Sequence, residues 1–128
     1  MNYSIEINYP LEDLSENEKE NKKTDVDKEI RQIAKETNGD FFAFDIDIAF
    51  SSTGSEAIGV NYNWIYKNID DIKNLINTLP LSYKILWIFK NKKKNIDYTI
   101  YNTRLPPDIK QFNKNELDIY KMIINRIK

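Results

Sequence analysis

The segment FFAFDIDIAF, residues 41–50, is the longest apolar run in the chain, and two aspartates interrupt it. Alternate residues of a β-strand point to opposite faces, so the even-numbered residues would share one face and Asp45 and Asp47 would lie on the other. A helix would spread the same residues around its circumference, so the period of two predicts a strand. We expect the rest of the chain to pair with this strand or to cover it.

A second strand with the same period follows a short polar turn. Residues 51–55 are small and polar, which is typical of a turn, and residues 58–66 alternate between large and small or amide side chains. This pattern predicts a hairpin over 41–66 in which Phe50 pairs with Glu56. That register would bring apolar residues into opposition on one face: Ile48 with Ile58, Ile46 with Val60, and Phe44 with Tyr62.

The first helix is predicted over residues 25–38. Thr24 and Asp27 fit a capping pattern at its start, and Gly39 would end it in the left-handed conformation. The polar residues 11–23 that come before it predict a surface loop or a weak helix, and they form the segment best suited to be flexible.

Two further helices are predicted from caps and apolar stripes. Asn68 would cap a helix that Pro80 ends, and Asn113 or Asn115 would cap a helix that runs towards residue 127. The inward stripe of the last helix would be Leu117, Tyr120, Ile123, Ile124 and Ile127.

Three more strands complete the prediction, at residues 3–9, 83–90 and 96–101. The predicted order is β-α-β-β-α-β-β-α. It favours one α+β domain over residues 1–128, with a mainly antiparallel sheet of about five strands and helices packed largely on one face.

Length and composition are those of an ordinary globular domain. The chain has 128 residues, of which 41% are hydrophobic and 30% charged. No stretch approaches the roughly 20 apolar residues that a transmembrane helix needs, and the N-terminal residues lack the basic region of a signal peptide. We therefore expect a cytoplasmic protein without a membrane partner.

The sequence contains neither histidine nor cysteine. This excludes Ser–His and Cys–His catalysis and the usual zinc sites, because histidine is the commonest general base and metal ligand. An enzyme would have to use carboxylates with a divalent cation, or lysine or tyrosine chemistry. We expect no cofactor.

The net charge of −1 conceals an uneven distribution along the chain. Residues 1–56 contain 14 acidic and 6 basic side chains, whereas residues 57–128 contain 6 and 13. The two halves could screen one another after folding, or the acidic half could attract a basic partner. The acidic isoelectric point argues against nucleic-acid binding by the lysine run 92–94.

Asp45 and Asp47 form the only constellation with catalytic potential. Two carboxylates on one strand face could hold Mg²⁺ in a nuclease or phosphotransfer enzyme. The pattern is similar to the Asp-x-Asp strand of nucleotidyltransferases, but the small-residue turn of that family is not present at the required distance upstream. We favour the interpretation in which both aspartates face solvent and the protein is not an enzyme.

The sheet face opposite the helices is the predicted partner-binding surface. Trp87 would lie there, or Leu86 and Ile88 in its place, because strand 83–90 is apolar at both parities. An acidic and amide-rich surface beside an aromatic residue is typical of a protein-binding face. The predicted contact residues are Asp45, Asp47, Asn61, Asn63, Trp87 and Asp97, with Thr99 beside them.

In general profile the chain resembles the immunity proteins of bacterial toxin systems such as contact-dependent growth inhibition. The shared features are small size, an α+β order, an acidic first half and no catalytic set. The segments FDIDI (44–48) and NYNW (61–64) would make the contacts. The resemblance implies a protein that binds and neutralises a cognate toxin, for example a nuclease with a basic cleft. A phage-encoded inhibitor of a host protein would show the same features.

Overall fold

The computed structural model describes residues 2–11, 14–50, 56–91, 97–103 and 107–127, without the side chains of 40–50, 56–58 and 97–98. It confirms the α+β class and the antiparallel sheet. A 3-10 helix at Ile109–Gln111 adds to the predicted order. The other elements are β1 (Asn2–Pro10), α1 (Glu16–Glu36), β2 (Asp40–Phe50), β3 (Glu56–Tyr66), α2 (Ile69–Thr78), β4 (Lys84–Asn91), β5 (Asp97–Asn102) and α3 (Lys114–Ile127).

The central strand of the sheet is β1, because the strand order is β2-β3-β1-β4-β5. β1 pairs antiparallel with β3 on one side and with β4 on the other. The expectation that the chain is organised around residues 41–50 is therefore wrong, since these residues belong to the edge strand β2. The hydrophobicity of a segment indicates that it is buried. Its position in the sheet depends instead on which strands, distant in sequence, pair with its two edges.

The hairpin register is confirmed only near its turn. Phe50 pairs with Glu56 and Ile48 with Ile58, as predicted. Farther from the turn the register shifts on both sides of Ile46, which lies opposite Asn61 and not Val60. The predicted pairing of Phe44 with Tyr62 is also absent. The prediction counted residues outward from the turn, and a register shift in the strand makes that count wrong beyond it. The pairs at the far end are Phe42 with Asn63, Phe41 with Trp64, and Asp40 with Ile65.

Helix α1 begins well before the predicted start at residue 25. The Ser15 hydroxyl accepts a hydrogen bond from the Glu18 amide (3.3 Å) and donates one to the Glu18 carboxylate (2.7 Å), so Ser15 is the N-cap of the helix. Thr24 lies inside the helix, where its hydroxyl donates to the Glu20 carbonyl. The first turns have no apolar stripe, since the buried residues of α1 start at Val26. Periodicity therefore placed the start at residue 25, and of the two alternatives predicted for residues 11–23, a loop or a helix, the helix is correct for residues 16–23.

The end of α1 is stabilised by Asn38 and not by Gly39 in the left-handed conformation. Asn38 has a φ of 61°. Its amide donates to the Lys35 carbonyl, and the Gly39 amide donates to the Ala34 carbonyl at 2.8 Å, which is a Schellman arrangement. Glycine is needed at 39 for space, because a Cβ there would lie 2.6 Å from Cδ1 of the buried Trp64.

The buried stripe of the third helix matches the predicted one in part. Glu116, Ile119 and Ile123 are its buried residues, whereas Ile127 is 63% exposed. Asn113 caps the helix, since its side chain accepts from the Glu116 amide and the Glu116 carboxylate accepts from the Asn113 amide. Ile123 is buried as predicted, and the predicted Tyr120 and Ile124 are partly buried against the core, whereas Ile127 is wrong, and Glu116 and Ile119 are inward positions that the prediction did not include.

The core lies between one sheet face and the helices. Odd-numbered residues of β1 and even-numbered residues of β3 are buried on this face, together with apolar residues of all three α-helices. The largest fully buried side chains are Trp64, Tyr62, Tyr66 and Tyr83. The opposite side of the sheet, which we call the open face, carries the even-numbered residues of β1.

Candidate protein-binding face

The open face is built by cross-strand pairs centred on β1. Glu6 lies opposite Asn63 of β3 and opposite Trp87 of β4, so these three residues form one row across the sheet. Paired residues in an antiparallel sheet have Cβ atoms about 4.5–5.5 Å apart, which brings their side chains into reach of one another. Further side chains of this face include Ser4, Asn8, Asn61, Ile65, Lys84, Phe89 and Asn91.

A β-bulge in β4 decides which apolar residues reach the open face. The register of β4 against β1 shifts so that Leu86 is an extra residue. Ile85 and Ile88 then both lie on the helix face, where they are buried. Trp87 and Phe89 lie on the open face. Of the two sequence alternatives, the structure has the one with Trp87.

Trp87 and Phe89 form a stacked aromatic pair. Their ring centroids are 4.7 Å apart and the ring planes are inclined by 24°. Both side chains are half-buried, so each keeps part of its ring surface accessible. Phe89 is not among the predicted contact residues, although its position two residues after Trp87 on a strand is the signal that could have found it.

Glu6 supplies the negative charge next to this aromatic pair. Asn63 Nδ2 donates to Glu6 Oε1 over 3.4 Å, which is a long hydrogen bond. Glu6 has no ion pair with any described lysine or arginine. Of the β4 lysines, Lys84 lies on the open face opposite Asn8, and Lys90 lies on the helix face, where its ammonium group is 3.4 Å from Glu116. Sequence reasoning missed Glu6 because the central position of β1 was not foreseen.

Asn61, a predicted contact residue, is a structural residue. Asn8 Nδ2 donates to Asn61 Oδ1 at 2.6 Å, and the two residues are only 4% and 5% exposed. Gly59 makes room for the pair, because a Cβ there would lie 2.5 Å from Asn8 Nδ2. Asn61 therefore has almost no surface to offer a partner. Asn63 is half-buried and remains beside Glu6.

Three predicted aspartates fall outside the described side chains. Asp45 and Asp47 belong to the edge strand β2, and Asp97 of β5 pairs through its backbone with Asn91 of β4. The structure gives no contacts for their carboxylates, so their predicted role in partner binding stays a prediction. Thr99 pairs with Phe89 and is half-buried, which places it at the β5 side of the open face.

A second surface feature lies away from the open face. A groove of about 510 Å³ runs between the C-terminal end of α3 and the start of β4 and includes the exposed Leu81 and Ile127. The Arg126 guanidinium in it donates to the backbone carbonyls of Leu79, Pro80 and Tyr83. Desolvation lowers the pKa of Arg126. These bonds hold the 79–83 turn against α3.

Within the described ranges there is no group of three acidic residues placed to hold a metal ion, and no helix with the length and apolarity to cross a membrane. Comparison with models of protein families, with curated proteins and with solved structures gave no match to this chain. The function therefore has to be inferred from the geometry of the open face and from the sequence.

Proposed function

We propose that this chain is a non-enzymatic protein-binding module that acts as an immunity protein, neutralising a cognate bacterial toxin in the cytoplasm. The observation that carries the proposal is the half-buried Trp87–Phe89 pair, which stands beside Glu6 on the sheet face opposite the helices. Aromatic residues dominate the energetic centres of protein interfaces, where they bring a large contact area at a low cost in conformational entropy.

The sequence supports binding over catalysis. It has no histidine or cysteine, and its first half is strongly acidic. Charge of one sign speeds the encounter with an oppositely charged partner and suppresses wrong partners. A nuclease toxin has a basic cleft for its substrate, so an acidic inhibitor fits such a partner, and the resemblance to immunity proteins points the same way.

Site-specific photocrosslinking in the source organism tests the proposal. A photoreactive amino acid replaces Trp87 in one variant, and in a matched control it replaces Leu81, which is 78% exposed and lies at the groove. The captured protein is identified by mass spectrometry and then expressed alone, and together with this chain, in a susceptible bacterium. We expect the crosslink from position 87 and not from position 81.

Growth decides between an immunity protein and other binding modules. The captured protein should stop growth when expressed alone, and co-expression of this chain should restore growth. A captured protein that is harmless alone, or one that still kills in the presence of this chain, would contradict the proposal. So would a crosslink that forms from position 81 only.

A further inference from the structure

We infer that the open face receives an arginine side chain of its partner, with the guanidinium group against the Trp87 indole and paired with the Glu6 carboxylate. This inference rests on the proposed function, because it names the chemistry of the group that the same face would bind. It concerns the row formed by Glu6, Asn63 and Trp87.

The first step concerns hydrogen-bond acceptors that lack donors. The only hydrogen bond that Glu6 makes with described residues is the long one from Asn63 Nδ2, so its carboxylate keeps most of its accepting capacity. Oδ1 of Asn63 is buried and has no donor among the residues that the structure describes. The Glu6 carboxylate is therefore an acceptor with unused capacity at the surface, and a donor-rich ligand complements it.

The second step concerns charge. Glu6 forms no ion pair with a described basic side chain, since Lys90 is directed to the opposite face and engaged by Glu116, and Lys84, which lies on the open face opposite Asn8, is not paired with it. The remaining charge on the row is negative and lies next to accessible aromatic surface. A cation over an indole ring is attracted by the electron-rich ring face, and tryptophan is the strongest partner in such interactions. The row therefore favours a positively charged group.

The third step selects arginine over lysine. A guanidinium group is planar, so it can lie parallel to the Trp87 ring while its edge presents two N–H donors to one carboxylate. An ammonium group is a compact, strongly hydrated point charge that cannot do both. Phe89 stacks on one ring face of Trp87, so the guanidinium would take the other face, on which the arginine stem can also pack.

A short peptide tests this chemistry without knowledge of the partner. The full chain, labelled with ¹⁵N, is titrated with acetyl-Gly-Arg-Gly-amide to about 20 mM, a range suited to millimolar affinity. The chain has two tryptophans, and Trp64 is 1% exposed, so its indole signal is an internal control for that of Trp87. A Trp87→Phe variant assigns the two signals. The citrulline peptide, which has the same shape without the charge, and the lysine peptide are the matched probes.

We expect the arginine peptide to shift the Trp87 indole signal in a saturable manner and to leave the Trp64 signal unchanged. The lysine peptide should bind about 3-fold more weakly and the citrulline peptide about 10-fold more weakly. Glu6→Gln should reduce arginine affinity about 5-fold, and its unchanged amide spectrum would show that it remains folded.

Two results would overturn the inference. One is equal binding of the citrulline and arginine peptides, which would mean that the face takes an uncharged group. The other is the absence of any Trp87 shift with the arginine peptide. Either result leaves the proposed function standing if crosslinking from position 87 still captures a toxin, so the two failures are distinguishable.

Discussion

Single residues of the open face divide into those that hold the sheet and those that remain available to a partner. Asn61 and Asn63 are two positions apart on β3 and share a face, yet Asn61 is buried in a pair with Asn8 and Asn63 is half-buried beside Glu6. The same amide side chain therefore has two different physical roles. The two roles are distinguished by the exposed fraction of each side chain and by the length of its hydrogen bond. The alternation of residues along the strand does not distinguish them, because both asparagines lie on the same face.

Replacement of each asparagine by alanine should separate the two roles. Asn61→Ala leaves the buried Asn8 amide without its acceptor, which should lower the free energy of unfolding by about 1–3 kcal/mol. Asn63→Ala removes only a long hydrogen bond and an oxygen that has no donor among described residues, so the change should stay within about 0.5 kcal/mol. Urea unfolding at neutral pH measures both. Equal losses would contradict the assignment.

Tyr83 should make the free energy of unfolding decrease at alkaline pH. Burial first, and then the hydrogen bond to the Glu29 carboxylate at 2.7 Å, raise the pKa of Tyr83 above its ordinary value of 10.0. The unfolded chain releases this proton near pH 10 while the folded protein still holds it, so the stabilisation is complete below that pH and is lost above it. Burial raises the pKa of Tyr3, Tyr66 and Tyr101 in the same direction.

Tyr83→Phe should therefore change the shape of the pH profile. At neutral pH it should cost about 1 kcal/mol through the lost hydrogen bond, and above about pH 10 its stability should fall less steeply than that of the natural chain. Urea unfolding at several pH values between neutral and strongly alkaline provides the comparison. An alkaline decline as steep as that of the natural chain would show that Tyr83 does not hold its proton.

At the scale of elements, the end of α1 shows how two adjacent residues serve different needs. Asn38 adopts the left-handed conformation, and Gly39 leaves space for Trp64. Gly39→Ala should cost about 1–3 kcal/mol, because the added methyl group overlaps a buried ring. Asn38→Gly is the matched control and should change stability by less than about 0.5 kcal/mol, since glycine takes the same φ freely. Thermal unfolding tests the pair, and a larger loss in the control would contradict it.

Element boundaries followed from the sequence wherever a local signal fixed them. The cap of α2 at Asn68, whose side chain accepts from the Asp70 amide, was predicted correctly. The hairpin pairs next to the turn were also correct, because turn geometry sets them. For α1 the sequence left a loop or a helix open before residue 25, since the N-cap Ser15 precedes polar turns with no hydrophobic period.

The candidate site was predictable only in part. Strand parity was enough to put Asn63 on the open face and to offer Trp87 as one of two alternatives. The burial of Asn61, the selection of Trp87 by the β4 bulge and the contribution of Glu6 all depend on β1 lying between β3 and β4. β1 takes that position because it pairs with two strands that are distant in sequence, and local sequence patterns do not indicate such pairing.

At the scale of the whole molecule, the helices cover one side of the sheet and leave the Trp87–Phe89 pair on the other. The groove at Leu81 and Ile127 is the competing surface, because it is also apolar and exposed. The proposed function assigns the partner to the open face and not to the groove. The two surfaces allow a direct comparison, since each can be altered without touching the other.

The most direct measurement is the dissociation constant of the captured partner for two matched double variants. Trp87→Ala with Phe89→Ala should weaken binding at least about 30-fold, as expected for interface hot spots. Leu81→Ala with Ile127→Ala should change it less than about 3-fold. The amide spectrum of the open-face variant shows whether it is still folded. If the folded open-face variant keeps the partner and the groove variant loses it, the partner binds the groove and not the open face.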